Sequence, residues 1–317
     1  MQIKRQLQAA LVAEAILLLA AINSGSSAFA GGSGPPPASN TQYWFTSTEI
    51  EGGLYPTPFA INNEGLVSGF YNDSSGYYHG FLWRNDRVTT VDAPGDWLDT
   101  FLGGVNDSGV VIGNYDDDVT VSHATLYRVR DQAWTRLPDV PGWPLNYGNG
   151  INNHGVAVGV VFEGNPTDYY GGVGWIWDGK DYSLITVPQA SGLAYGTYAA
   201  AINDSDKVAG FYQDSQDVFH GFLNQGSKIT SFDVPGAENT FVYGINNQDD
   251  VVGYYFDGST YHGFIMHAGK FVTVDVPGAA ETNIFGINDR GQIVGWYSDT
   301  SNPSGYGFVG TPMGKGW

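Results

Sequence analysis

The chain has 317 residues, no cysteine, and 13 basic against 32 acidic side chains, a formal net charge of −19 at pH 7. Without cysteine there is no disulfide, no thiolate chemistry and no lipidated N-terminal Cys. The charge argues against nucleic acid and anionic lipid as partners, because binding to either depends on neutralising phosphates.

In chain order, Lys4 and Arg5 precede an apolar stretch from Leu11 to Ile22, followed by the small-residue exit Ala28-Phe29-Ala30. That order reads as a secretory signal peptide over 1–30, cleaved after Ala30. The apolar stretch is shorter than the roughly 20 residues a membrane span needs, and Glu14 interrupts it. The mature chain is therefore expected to be secreted or periplasmic, without a membrane anchor. Residues 31–42, with Pro35-Pro36-Pro37 among them, read as a linker.

From residue 43 the sequence repeats. An aliphatic residue followed by Asn-Asn or Asn-Asp recurs at Ile61, Val105, Ile151, Ile202, Ile245 and Ile287, at spacings of 44, 46, 51, 43 and 42 residues. A period in the forties marks an array of four-stranded propeller blades. In the fifth copy, strands are expected over 240–245, 251–256, 261–266 and 271–276. Each is rich in Val, Tyr, Phe and Thr and is separated from the next by Gly, Pro, Asn or Asp. No 3.6-residue apolar period appears, so helix should be minimal. The last copy stops after three strands, while 44–52 matches the fourth-strand phrase before any first strand has appeared. The predicted fold is an all-β, six-bladed β-propeller over 43–311. Its N-terminal strand completes the last blade and removes the exposed edge, and 312–317 form a tail.

Aligning the copies exposes a coupled set. Strand two carries Tyr71, Tyr115, Val161, Tyr212, Tyr255 and Tyr297, and strand three carries His79, His123, Val173, His220, His262 and Tyr306. Strand four carries Asp92, Asp139, Thr186, Asp233, Asp275 and Glu49. Blade three loses Tyr, His and Asp together, which predicts a hydrogen-bonded structural network. A shared metal is not expected. Third strands lie about 10 Å outward from the axis-lining strands, so histidines of different blades cannot all approach one ion to about 2 Å. His154 and His267 read as surface residues, and the recurrent strand-two glycines as close backbone approach. No residue is assigned a catalytic role.

Ligand contacts are expected on the face formed by the loops between strands two and three and those between blades. The acids there include Asp116, Asp117, Asp118, Asp168, Asp214 and Asp257, and the aromatics include Trp97, Trp143, Tyr147 and Tyr195. Exposed rings beside carboxylates suit a neutral glycan, or Ca²⁺ as the one candidate cofactor. The third repeat is longest, with insertions at 164–172 and 189–198 and with Trp175 and Trp177, and is the blade expected to be released for binding.

The phrases His79-Gly-Phe81, His220-Gly-Phe222, His262-Gly-Phe264 and His123-Ala-Thr125 resemble the bacterial extracellular repeats named for a His-Ala-Phe tripeptide. The resemblance covers nearly all of 43–311 and implies an exported protein, with no catalytic residue to carry over. The leading expectation is a monomeric binding or scaffold propeller recognising a glycan or an extracellular protein. The alternatives are a polysaccharide-active hydrolase or lyase using loop carboxylates, and a purely structural matrix protein.

Overall fold

The computed structural model describes residues 43–314 apart from 96–98, 118–120, 166–167, 192–194 and 303. The expected signal peptide and linker lie outside the described residues. Twenty-four strands form six antiparallel four-stranded sheets, with no helix among the described residues.

The chain opens with β1 (Tyr43–Thr48). Blade 1 is β2 (Leu54–Ile61), β3 (Val67–Asn72), β4 (Tyr78–Arg84) and β5 (Arg87–Thr90). Blade 2 is β6 (Asp99–Val105), β7 (Val110–Asp116), β8 (Ser122–Arg128) and β9 (Ala133–Arg136). Blade 3 is β10 (Leu145–Ile151), β11 (Ala157–Asn165), β12 (Asp168–Trp177) and β13 (Tyr182–Ile185). Blade 4 is β14 (Thr197–Ile202), β15 (Val208–Gln213), β16 (Phe219–Gln225) and β17 (Lys228–Phe232). Blade 5 is β18 (Asn239–Ile245), β19 (Val251–Phe256), β20 (Tyr261–His267) and β21 (Lys270–Thr273). Blade 6 is β22 (Glu281–Ile287), β23 (Ile293–Ser298) and β24 (Tyr306–Pro312), completed by β1.

Closure follows the sequence expectation. β1 pairs antiparallel with β24 from Tyr43↔Pro312 to Thr48↔Gly307. Phe45 packs edge-on against Phe308 at 5.4 Å, and the Tyr43 hydroxyl donates to the Gly291 carbonyl at 3.0 Å. The fourth strands are shorter than expected. β21 ends at Thr273, because Val276 N–H turns away to the Thr282 hydroxyl, 3.0 Å off.

The inner strands have a feature the sequence pattern hid. In every blade the pairing of the first strand with the second slips near the strand end, at Pro58/Ala60, Leu102/Val105, Gly148/Gly150, Ala199/Ala201, Val242/Gly244 and Ile284/Gly286. Such bulges bend a strand and re-aim its side chains. The recurrent glycines explain how two backbones come so close. A Cβ on Gly159 or Gly253 would sit 1.9 Å from a first-strand carbonyl oxygen, that of Tyr147 or Phe241.

Apolar side chains between successive blades form separate clusters. An aromatic cluster containing Phe59, Phe70, Phe101, Tyr147, Phe211, Phe241, Tyr254 and Phe285 joins the inner strands of all six.

Candidate functional site

The repeated Asn-Asn and Asn-Asp phrases meet at one end of the axis, the lower end, where the first strand of each blade turns into the second. The first Asn of each phrase holds its own turn. Asn62 Oδ1, for example, accepts from Glu64 N and Leu66 N. Its Nδ2 donates to the carbonyl of the equivalent Asn in the next blade, and this closes a six-membered ring: Asn62 to Asn106, Asn152, Asn203, Asn246, Asn288 and back to Asn62.

The second residue of the phrase makes another ring, in which Asn and Asp alternate: Asn63, Asp107, Asn153, Asp204, Asn247 and Asp289. Each backbone N–H donates at 2.8 Å to the side-chain Oδ1 of the next blade. Each of the three Asn Nδ2 atoms bridges the Oδ2 atoms of both flanking Asp residues, at 2.8–3.0 Å. An amide can both accept and donate while a carboxylate only accepts, so alternation is what satisfies the whole ring.

At the rings and just above them the axis holds two cavities, of about 70 and 80 Å³. Small-molecule pockets run to about 300–1,000 Å³, so the axis has room for water but not for a sugar. Among the described residues, no group of three or more His, Cys, Asp or Glu is placed to hold a metal ion.

On the outer strands, His79, His123, His220 and His262 each stand between two carboxylates. Nδ1 meets the fourth-strand acid, at 2.9 Å from Asp92, 3.3 Å from Asp139, 2.9 Å from Asp233 and 2.9 Å from Asp275. Nε2 faces a loop acid, at 3.6 Å from Asp73, 3.1 Å from Asp117, 3.4 Å from Asp214 and 3.4 Å from Asp257. Tyr71, Tyr115, Tyr212 and Tyr255 pair with these histidines in register, with ring centroids 5.1–5.4 Å apart. Val161 faces Val173 in blade 3, and Tyr297 faces Tyr306 in blade 6. Glu49 lies exposed beyond β1. His154 is exposed, whereas His267 Nδ1 is 2.5 Å from Asp250.

The loop acids are therefore held rather than free. Asp214 Oδ1 accepts from Gln216 N and Val218 N, and Asp73 and Asp257 make equivalent turns. Burial raises the Asp73, Asp214 and Asp257 carboxyls, but the turn N–H bonds and the neighbouring His outweigh it, so all three stay below the usual range. The His220 and His262 imidazoles rise above theirs, chiefly through the bonds from Asp233 and Asp275, against the opposing effect of burial.

One expectation needs correction. Tyr147 and Tyr195 are not exposed stacking rings: at 8% and 6% exposure they belong to the aromatic cluster. Six converging inner strands leave a gap that rings fill at a gain of about 25 cal/mol per Å² of apolar surface buried. Blade 3 departs from the repeat in the length of its hairpin while keeping its packing against blade 2. Residues inserted over 164–172 lengthen β11 and β12 into a hairpin, and Trp175 is fully buried between blades 2 and 3. Trp143 and Trp177 pack, partly buried, against that same cluster. Trp97, Asp118 and the Asp168 side chain lie outside the described residues.

One arrangement was not anticipated. Asp99, at the start of β6, stands directly opposite Asp116 on β7. Burial pushes the Asp99 carboxyl up to about 7, with Asp116 adding to the rise and the Tyr78 N–H bond opposing it. Burial likewise pushes Asp116 up to about 6, against the Ser122 hydroxyl bond. The usable signal was positional: six residues before the aliphatic of each phrase stand Tyr55, Asp99, Leu145, Gly196, Asn239 and Glu281, and these have no common chemistry.

No family model and no curated protein sequence matches the chain. Solved structures do. The propeller domain of the Trilobed protease from Pyrococcus furiosus aligns with a TM-score of 0.52 and 10% identity, over 84% of this chain and 82% of that one. The lectin of Aleuria aurantia, in complex with Fucalpha1-6GlcNAc, aligns at 0.50 and 9%, over 86% and 100%. A candidate gluconolactonase aligns at 0.50 and 12%, over 90% and 99%. Identities this low show a shared fold and nothing beyond it.

Proposed function

We propose that this chain is an exported, His-Ala-Phe-like binding propeller that recognises a neutral glycan or an extracellular protein through its upper rim. The upper rim is the face opposite the Asn/Asp rings. The observation that carries the reading is its pre-set geometry. Asp73, Asp117, Asp214 and Asp257 face the histidines of their own blades, so the rim presents four carboxylates held in place. Binding to side chains already held avoids an ordering cost of about 0.5–1.5 kcal/mol per immobilised side chain. Sugar binding is within the reach of the fold, since the lectin of similar architecture is complexed with a fucosylated disaccharide.

A second reading, polysaccharide cleavage, is favoured by the opposed acids Asp99 and Asp116, because glycosidases work with paired carboxyls of tuned acidity. One experiment addresses both. The exported protein, expected to begin at Gly31, is applied to a glycan array with and without Ca²⁺, and reducing-sugar release is assayed on every hit. Retention of intact glycans is expected. Reducing-sugar release would favour cleavage, and failure to retain any glycan would remove the glycan reading.

A further inference from the structure

We propose that Asp99, Asp116 and Asn114 form a subsite at the upper rim of blade 2 for one hydroxyl-rich ring of a glycan, an inference that rests on the binding reading above. The register supplies the geometry. Asp99, Asp116 and Ser122 stand on one rung, and Phe101, Asn114 and Ala124 two rungs along, beyond Thr100, Tyr115 and His123. Side chains alternate along a strand, so Asn114 and Asp116 project from the same face of β7.

Asn114 is the departure that points to a ligand. It follows the strand-two glycine, and in the other five blades that place holds Phe70, Val160, Phe211, Tyr254 or Trp296, all members of the central apolar cluster. Only blade 2 puts an amide there. Asn114 is 5% exposed, and its Nδ2 has no hydrogen-bond partner. A buried donor left unpaired is costly, and native proteins keep few of them.

The surrounding groups describe what would satisfy it. Asp99 Oδ1 accepts from Tyr78 N at 2.7 Å, and Asp116 Oδ1 accepts from the Ser122 hydroxyl. These bonds leave the two Oδ2 atoms to be matched by a ligand, on the same side of the sheet as the Asn114 amide. Adjacent sugar hydroxyls complement that set, each donating to a carboxyl oxygen while one accepts from Asn114. A cation fits less well, because it would take the Asn114 Oδ1 and leave the unpaired Nδ2 donor unmet. The raised carboxyl values, caused chiefly by burial, agree with this reading, since a carboxyl that protonates near neutrality can donate as well as accept. The other charged groups that face the pair are Asp73 and His79 beside Asp99, and Asp117 and His123 beside Asp116.

The test uses Asp99→Asn, Asn114→Val and Asn114→Phe, the last two restoring the side chains found in sister blades. Glycans retained by wild type on the array are titrated by calorimetry against each variant, with melting temperatures recorded alongside. All three variants should bind about tenfold or more weakly, the loss of one good hydrogen bond to a charged group. The Asn114 variants should melt no lower than wild type. Wild-type affinity in all three variants would overturn the subsite and leave the binding reading intact, whereas a wild-type chain that retains no glycan would sink both. A Ca²⁺-dependent rise in melting temperature that Asp99→Asn abolishes would overturn the subsite in favour of a cation site. Reducing-sugar release lost in Asp99→Asn would overturn it in favour of catalysis.

Discussion

At His220 one imidazole meets two carboxylates, Asp233 on its own sheet and Asp214 from the loop above. The arrangement carries a definite pH signature. Raised His220 and His262 values mean that the imidazolium is held in the folded state. Its contribution is full below the unfolded value near 6.5 and fades as pH rises through the folded value. Depressed Asp214 and Asp257 values contribute above about 3.9 and fade as pH falls through the folded values. The clamps are thus strongest between about pH 4 and 6.5. The double variant His220→Ala with His262→Ala should lose roughly 1–2 kcal/mol at pH 5.5, discounted for partial exposure, and clearly less at pH 9. Calorimetric melts at both pH values decide it, and equal losses would refute the pairing as drawn. The Tyr, His and fourth-strand Asp positions were legible in the sequence because strand periodicity keeps them in register. The loop acids were legible by position but not by their pairing with the histidines, since a solvated carboxylate and one capping its own turn have the same local sequence.

Among the structural elements, the first strands and their turns carry the largest surprise. The Asn-Asn and Asn-Asp phrase announces a turn in any single repeat, yet its side chains also bond to the neighbouring blades. Asn247 Nδ2 donates to Asp204 and Asp289 at 2.9 Å each. Asn247→Asp would put three carboxylates in a row and remove both bonds, costing on the order of 2–4 kcal/mol. Urea unfolding at pH 7 should show that loss, and at pH 4 it should shrink as carboxyls protonate. A loss that does not depend on pH would contradict the ring's electrostatics. The bulges were invisible in sequence for a related reason: the slip of one or two residues is dictated by crowding at the axis, which no single strand encodes.

For the whole molecule, ring closure decides stability. β1 fills the outer place of blade 6 and covers the edge of β24. Deleting residues 43–48 should expose that edge, lower the melting temperature by about 10 °C or more, and promote self-association through the bared strand. Scanning calorimetry and size-exclusion chromatography with light scattering measure both effects. A monomer with unchanged melting would mean that the closure is dispensable. The same global geometry bears on the proposed reading, since axial cavities of about 70 and 80 Å³ leave the rim as the surface to test for glycan.

Blade number, strand content, the closing strand and the Tyr–His–Asp register were all determined by the sequence alone, because each rests on spacing along the chain. The tertiary structure alone decided which rings are buried, how Asn and Asp knit the lower end, and that blade 2 sets two acids beside an unpaired amide. The packed rings and the Asn/Asp ring depend on groups about forty residues apart or more brought together by ring closure, and the blade 2 acids on the register of two neighbouring strands; local pattern carries no record of either.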